Sequence, residues 1–532
     1  MLPRSWVPET ASQAALDRWF WVIAVLLALG METVAACAGG DATWDLRNYH
    51  LYNPFALLHK PVGTDIAPAH MQTFLPPTLD LLYYSLARSI PSTLLLNAVL
   101  AVPQAFAACL AWLLSWRLVR PQNGVEAAAL GLMTALAATG VAALSTIATS
   151  SSEILPGALV LAAWAILIQP ELDRLPSAGR LFVAGLLVGA ACGLKLTLSF
   201  ASVAFLCVLL LIPRRRALDL VSRPVLFGCG LAAGALALTG YWWAHEWTLY
   251  GNPFFPMMNQ IFRSPKAVPE SFVDPTFLPR TWLQALQAPW VWALRLSWAT
   301  SESRLRDPRF SLAMIAAAFC LVRLGWSAPR WRPWPWLVLP AWFVLGFVLW
   351  RFEFSIIRYL SVLELLVGAM LAMAAFPLAR RFRQPGLLLA GSAALLGCCA
   401  YLTVYPQVNR TAPGNTAPFA VDLGRLPPNS MVLLLDNEPL GYFAAFADPR
   451  IRFIGTNDFF MSLDSSNPMQ PDVERAIASH TGPLFGLDSP ATQGARADAT
   501  LARYGLSRSA CRPVVSNLSP EPIRLCELKR AS

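Results

Sequence analysis

The sequence predicts an all-α polytopic membrane protein with about eleven transmembrane helices and a small C-terminal α/β domain outside the membrane. Three observations predict it. Of 532 residues, 56% are hydrophobic and 14% charged, whereas a soluble domain carries about 25% charged residues. The apolar residues gather into segments near the length a spanning helix needs, roughly 20 residues, with arginines punctuating the connections between them. From about residue 405 the character changes. Polar residues, Gly and Pro rise there, strand-like runs appear at 431–435 and 450–454, and ERAIASH at 474–480 has helical spacing.

In chain order the expected spans lie near 19–38, 92–116, 125–147, 154–169, 181–194, 196–213, 224–245, 309–325, 334–350, 358–379 and 386–404. The first is long and lacks a small-residue cleavage site, so it reads as a retained helix rather than a signal peptide. The fifth and sixth are short and meet at Gly193-Leu194-Lys195, which suggests a tight or partly re-entrant pair. Basic residues mark alternate connections: Arg4 and Arg18, Arg117 and Arg120, Arg174 and Arg180, then Arg214–Arg216. Arg323, Arg330 and Arg332 follow the eighth span, and Arg380, Arg381 and Arg383 the tenth. Cytoplasmic connections are enriched in such residues. The N-terminus is therefore expected inside, and the net charge of +10 reads as a topology signal rather than a nucleic-acid footprint.

With that orientation the long connections 39–91 and 246–308, and the tail, all fall outside the cytoplasm. The chain divides into a membrane domain, 1–404, and an extracytoplasmic domain, 405–532. Eight of the ten cysteines lie in or beside apolar spans, where they act as small apolar residues. Cys511 and Cys526 sit in the tail, where an oxidising compartment permits a disulfide. No CxxC or His/Cys ligand cluster calls for structural zinc.

Polar chemistry concentrates on the outer side. GGDATWDLRNYHLYNP, 39–54, follows the first span with Asp41 and Asp45 beside Arg47, Asn48, Tyr49 and His50. In a helical turn Asp45 would face Tyr49. Partial desolvation would raise the pKa of such a carboxylate and make it a useful base. A solvated loop within an interfacial aromatic belt is the competing explanation. Asp65 and Asp80 follow, as site residues or as helix caps. Glu153 opens the fourth span after three serines, as an N-cap or as a ligand-touching acid. Lys195 stands alone between Arg180 and Arg214; it either snorkels to the interface or binds a phosphate. Arg351, Glu353, Arg358 and Tyr359 lie where the ninth and tenth spans meet, and an internal Arg–Glu pair is one explanation for them.

In order and sidedness, these residues resemble the GT-C-type glycosyltransferases, polytopic bacterial inner-membrane enzymes that take sugars from polyprenyl-phosphate donors. WDLRNYHLYNP looks like their first outer loop, GLKLT at 193–197 is similar to their Gly-Leu-…-Lys element, and GNPFFPMMNQIF at 251–262 resembles a Gly-Asn-Pro loop of a subset. SIIRYL at 355–360 resembles their late Arg-Tyr. The resemblance covers most of 15–405. It implies transfer of a sugar, with inversion, to a glycan, lipid or protein acceptor. Asp45, or else Asp41, would be the base; Lys195 and Arg358 would hold the lipid phosphate; Tyr49, His50 and Asn252 would contact sugar hydroxyls. The first loop lacks the adjacent Asp-Glu pair of many relatives, and Ser-Ser-Glu stands where they place an Asp, which leaves use of a divalent metal ion open. Two other classes stay in view. A transporter or flippase usually shows internal repeats, which are not evident here. An O-antigen ligase or polymerase relies on arginines and a His in a late outer loop, whereas this chain places its acids in the first.

Overall fold

The computed structural model describes residues 11–151, 153–214, 216–270, 274–325, 333–461 and 467–530. Arg4, Ser152, Arg215, Arg330 and Arg332 lie outside the described residues. The helices are α1 (Ala11–Cys37), α2 (Tyr52–His59), α3 (Thr78–Ser89), α4 (Thr93–Val119), α5 (Gly124–Ala138), α6 (Val141–Ser145), α7 (Ile154–Leu167), α8 (Ala178–Leu194), α9 (Ser199–Val208) and α10 (Asp219–Tyr250). They continue as α11 (Asn259–Phe262), α12 (Trp282–Leu294), α13 (Arg309–Gly325), α14 (Pro335–Glu353), α15 (Ser361–Glu364), α16 (Val367–Ala379) and α17 (Pro385–Tyr401).

Every expected apolar segment contains helix, but the expected span count is not reached by length. Among the described residues five helices are long and apolar enough to cross a membrane: Gln13–Cys37, Thr93–Val119, Asp219–Tyr250, Pro335–Glu353 and Ile357–Ala379. Gly124–Ala138, Ile154–Leu167, Ala178–Leu194, Leu196–Leu211 and Pro385–Tyr401 are apolar but shorter, and α13 carries an Arg near each end. The 125–147 segment is broken at Gly140, the N-cap of α6. Burial sorts the long helices. Only 22% of the apolar window of Gln13–Cys37 is buried against 83% for Ile357–Ala379, so α1 lines the outside of the bundle and the late helix runs through its middle.

The short pair α8 and α9 turns at Lys195, as expected, and α8 lies along α10. Glycines make that approach close. A Cβ at Gly189 would sit 2.0 Å from the Leu231 carbonyl oxygen, and one at Gly234 would sit 2.0 Å from that of Leu186. Small residues at such spacing let apolar helices meet backbone to backbone. Gly189→Ala should therefore destabilise the protein by about 1–3 kcal/mol, whereas Gly179→Ala, which opens on free space, should not. Thermal unfolding of the two variants in detergent decides it, and equal melting temperatures would refute the close-packing account.

The tail forms β1 (Val421–Asp422), β2 (Met431–Leu434), β3 (Arg452–Gly455), α18 (Gln470–Ser479), β4 (Leu484–Asp488), α19 (Pro490–Arg503), β5 (Leu506–Ser516) and β6 (Ile523–Arg530). The expected strands and helix are all present. The strand order is β1-β5-β6-β4-β2-β3, with β2 parallel to both β3 and β4. Continuous apolar runs suit parallel strands covered on both faces, and all four residues of β2 are buried. Val432, Leu434 and Phe453 pack with Tyr52, Phe55 and Tyr83 of the first long connection. Met431, Leu433 and Ile454 pack with Val473 of α18 and Leu501 of α19. The first connection thus roofs one face of the sheet, and the tail's own helices cover the other.

Cys511 and Cys526 face each other across β5 and β6 and are disulfide-bonded. Thiol labelling under denaturing, non-reducing conditions should leave both unreacted; free thiols there would contradict the bond. The tail is also tied to the end of α1. Thr411 N donates to Gly40 O at 2.9 Å, and Arg410 donates to the carbonyls of Gly39, Ser145 and Ile147. A Cβ at Gly39 would lie 1.8 Å from Thr411 O, which accounts for the glycine that begins the acidic loop.

Candidate functional site

The site starts where α1 ends. After Cys37 the chain passes through Gly39 and Asp41 to Asp45, then enters a π turn over Leu46–His50 whose five residues are all buried. The sequence led to an ordinary helical turn here. A π turn closes on i→i+5 bonds and recurs at functional sites; in it His50 acts on the charge of Asp45, and Asp45 acts on the Tyr49 hydroxyl.

Asp45 faces cations carried by other helices. Its Oδ2 lies 3.2 Å from Arg358 Nη2, in the 3-10 turn Ile357–Leu360 that leads into α15. Arg358 also reaches Glu302 at 3.5 Å and the Tyr359 hydroxyl at 3.3 Å. Lys195, at the end of α8, lies 3.6 Å from Glu153, whose Oε2 accepts from Thr197 Oγ1 at 3.0 Å. Burial works against the Asp45 charge, but Arg358, then His50 when protonated and Lys195, with the Ser151 hydroxyl alongside, outweigh it. The carboxyl is held below the usual carboxylate range. The expectation of a raised pKa is therefore reversed, because neighbouring cations overcome desolvation. Burial pushes the Tyr49 hydroxyl well up, with Asp45 adding to the effect.

Asp41 is differently placed. Its Oδ2 accepts from Ser150 N and Oγ, both at 2.6 Å, and its Oδ1 from Thr43 N at 2.9 Å, with Tyr83 alongside. These bonds occupy the carboxylate and clamp the first loop onto the entrance of α7. Glu153 stands at the N-cap of α7 yet makes no side-chain cap bond; the capping explanation fails because Lys195 and Thr197 take its oxygens. Asp80 does not cap α3 either. Its Oδ1 lies 2.6 Å from His50 Nδ1.

Other candidates lie apart from this cluster. Asp65 accepts from Lys60 Nζ at 2.8 and 2.7 Å, from Tyr52 OH at 3.0 Å and from Phe453 N at 2.8 Å, stapling the first connection to β3. Asn252 has no exposure and organises its own loop, donating to Met257 O at 2.9 Å and accepting from Phe254 N at 3.0 Å. Arg47 points to Glu438 of the tail at 4.0 Å, and Asn48 donates to Gln72 at 3.2 Å. The suggested Arg351–Glu353 pair does not form: Arg351 donates to Phe277 O at 2.6 Å and Glu353 accepts from the Ser199 hydroxyl.

Sequence reasoning missed Ser150, Ser151, Glu302 and the His50–Asp80 contact. The repeated serines before Glu153 were the available signal for the first two; for the others, partners far apart in the chain gave none. Among the described residues no group of three or more His, Cys, Asp or Glu side chains is placed to hold a metal ion. Asp41 spends both oxygens on Ser150 and Thr43, and Asp45 turns one oxygen to Arg358, so the two aspartates do not form a shared cation seat.

No family model matches the chain, and no curated protein does. Among solved structures it is similar to ArnT from Cupriavidus metallidurans bound to undecaprenyl phosphate, at 14% identity and a TM-score of 0.48, over 97% of this chain and 98% of that one. It is also similar to the Archaeoglobus fulgidus oligosaccharyltransferase tethered with an acceptor peptide, at 11% identity and a TM-score of 0.43, over 92% of this chain and 71% of that one. The apo form of that enzyme gives 12% identity and a TM-score of 0.45, over 90% and 71%. At these identities and scores the likeness assigns the chain no activity.

Proposed function

We propose that this protein is a membrane glycosyltransferase that moves a sugar from a polyprenyl-phosphate donor to an acceptor at the outer face of the bacterial inner membrane. One observation carries the reading: a buried carboxylate, Asp45, at the end of the first apolar helix faces Arg358 and Lys195 at the ends of other helices. Transfer of a phosphate-linked sugar needs both parts, a base to take the acceptor's proton and cations to receive the phosphate as it leaves. Apolar helix surfaces beside those cations suit the lipid chain.

In this scheme Asp45 accepts the proton of the acceptor hydroxyl or amine as its lone pair attacks the anomeric carbon. The bond from that carbon to the phosphate oxygen breaks, and its electron pair leaves with the phosphate. A single direct displacement inverts the anomeric configuration. Lys195 and Arg358 bind the departing phosphate, Glu153 and Tyr359 position them, and Tyr49 and His50 line the sugar position. Asp41 sets the loop. Residues 1–404 form the transferase domain, and 405–532 the extracytoplasmic domain beside the acceptor entrance. No further cofactor enters the scheme.

The test is a deletion strain whose glycolipids and surface glycans are compared with the parent. One sugar modification should disappear and return with the wild-type gene but not with Asp45→Asn. Unchanged glycans, or restoration by the variant, would refute the reading. Cysteine accessibility at about residues 60, 265 and 450 should report the outer side at all three; cytoplasmic labelling at 450 would overturn the orientation.

A further inference from the structure

The π turn leaves one buried group that the scheme above has used only as a lining. His50 has no exposure, and its Nδ1 lies 2.6 Å from Asp80 Oδ1. A carboxylate on Nδ1 fixes the proton there and leaves Nε2 as an acceptor. Nε2 has no hydrogen-bond partner among the described residues. A buried polar atom without a partner is costly, and His50 is near enough to Asp45 to act on its charge, so the unpaired nitrogen calls for a use.

From these contacts we infer that the His50–Asp80 pair is a proton relay for the transfer reaction, taking from Asp45 the proton that Asp45 removes from the acceptor. The inference rests on the function proposed above. The acceptor's oxygen or nitrogen forms the bond to the anomeric carbon and gives its proton to Asp45. Asp45 passes it to His50 Nε2, the phosphate leaves with the electron pair of the broken bond, and the resulting imidazolium is stabilised by the Asp80 carboxylate on Nδ1. The pair then loses the proton to water when the products depart. Neither oxidant nor co-reactant is required.

The charge balance runs in the direction this relay needs. Arg358 and Lys195 make Asp45 a poor resting place for a proton, whereas His50 has a carboxylate on its other nitrogen. The titratable groups facing His50 are Asp80 from α3 and Asp45 and Tyr49 from its own turn; Lys195 from the end of α8 acts on both Asp80 and Asp45, and Arg358 and Tyr359 lie beyond Asp45. The 3-10 turn Gly441–Phe446, packed on the π turn, brings Tyr442, whose hydroxyl is bonded to Ser516 at 2.7 Å.

A buried His–Asp contact could instead only fasten the loop to α3, and isosteric variants separate the two roles. In His50→Asn the amide nitrogen replaces Nδ1 and keeps the bond to Asp80, but nothing replaces Nε2. The experiment measures sugar transfer from polyprenyl-phosphate monosaccharides by the full-length protein across pH, with undecaprenyl phosphate binding as the check on folding. His50→Asn should bind undecaprenyl phosphate like wild type, lose about 10²-fold in rate, and shift the acid limb of its pH–rate profile to lower pH. Asp80→Asn, which removes the charge that stabilises the imidazolium, should lose rate as well. Wild-type rate and profile in His50→Asn would make the contact a fastener and overturn the relay. If wild type itself transfers no sugar from such donors, the reading of the whole site fails, and the relay with it.

Discussion

Asp45→Asn should insert and fold, still bind polyprenyl phosphate, and transfer sugar about 10²- to 10⁴-fold more slowly than wild type. The substitution keeps the size of the side chain and one acceptor oxygen for Arg358, so the helix ends remain tied. What it removes is the site that takes the proton in the proposed transfer. Asp41→Asn should act through a different property. Asp41 accepts from Ser150 twice and from Thr43, so an amide there turns a donor toward donors and loosens the loop. The expected signature is a lower melting temperature together with reduced rate, whereas Asp45→Asn should reduce the rate alone. Parallel thermal unfolding and transfer assays distinguish the two. A stable, inactive Asp41→Asn beside an active Asp45→Asn would exchange their roles.

Lys195→Ala should weaken binding of undecaprenyl phosphate by about 10- to 100-fold, as expected for one charge-assisted contact of roughly 1.5–3 kcal/mol. Undecaprenol, which has the same chain and no phosphate, should bind wild type and variant equally. Arg358→Ala should weaken phosphate binding similarly and also free Asp45 from its ion pair. Removing that cation lets the Asp45 pKa rise, since Arg358 is the largest influence holding it down. With His50→Asn in both proteins, so that Asp45 alone sets the acid limb of residual activity, that limb should therefore lie at higher pH with Arg358→Ala than without it. An unchanged limb would show that the pair does not govern Asp45, and equal loss of undecaprenol and undecaprenyl phosphate binding would show that Lys195 supports the fold rather than the phosphate.

The legible part of this protein was what local sequence controls. Apolar runs gave the helices, and the strand-like runs at 431–435 and 450–454 gave two strands of the tail sheet, though not their parallel pairing. The Lys195 turn also followed from two short apolar runs meeting at Gly193. The site was legible as a set of residue types on one side, yet its pairings were not. Asp45 meets Arg358 and Glu153 meets Lys195 only because helices distant in the chain end together. The π turn escaped notice because residues 46–50 are as compatible with an α-helix, and the choice is made by packing against the tail. Asp65 and Asn252 looked like site residues for their chemistry; in the structure Asp65 joins the first connection to β3 and Asn252 folds its own loop. Such polar anchors cannot be told from ligand-binding groups until their partners are seen.

The most direct test of the central claim is turnover by the purified full-length protein in lipid nanodiscs. A panel of polyprenyl-phosphate monosaccharides would be supplied with a membrane-glycan extract as acceptor, and release of polyprenyl phosphate would be followed. Wild type should release polyprenyl phosphate from at least one donor only when acceptor is present, and Asp45→Asn should release almost none. Release that is equal in wild type and Asp45→Asn, or absent for every donor despite intact binding of undecaprenyl phosphate, would contradict the assignment of this site to sugar transfer.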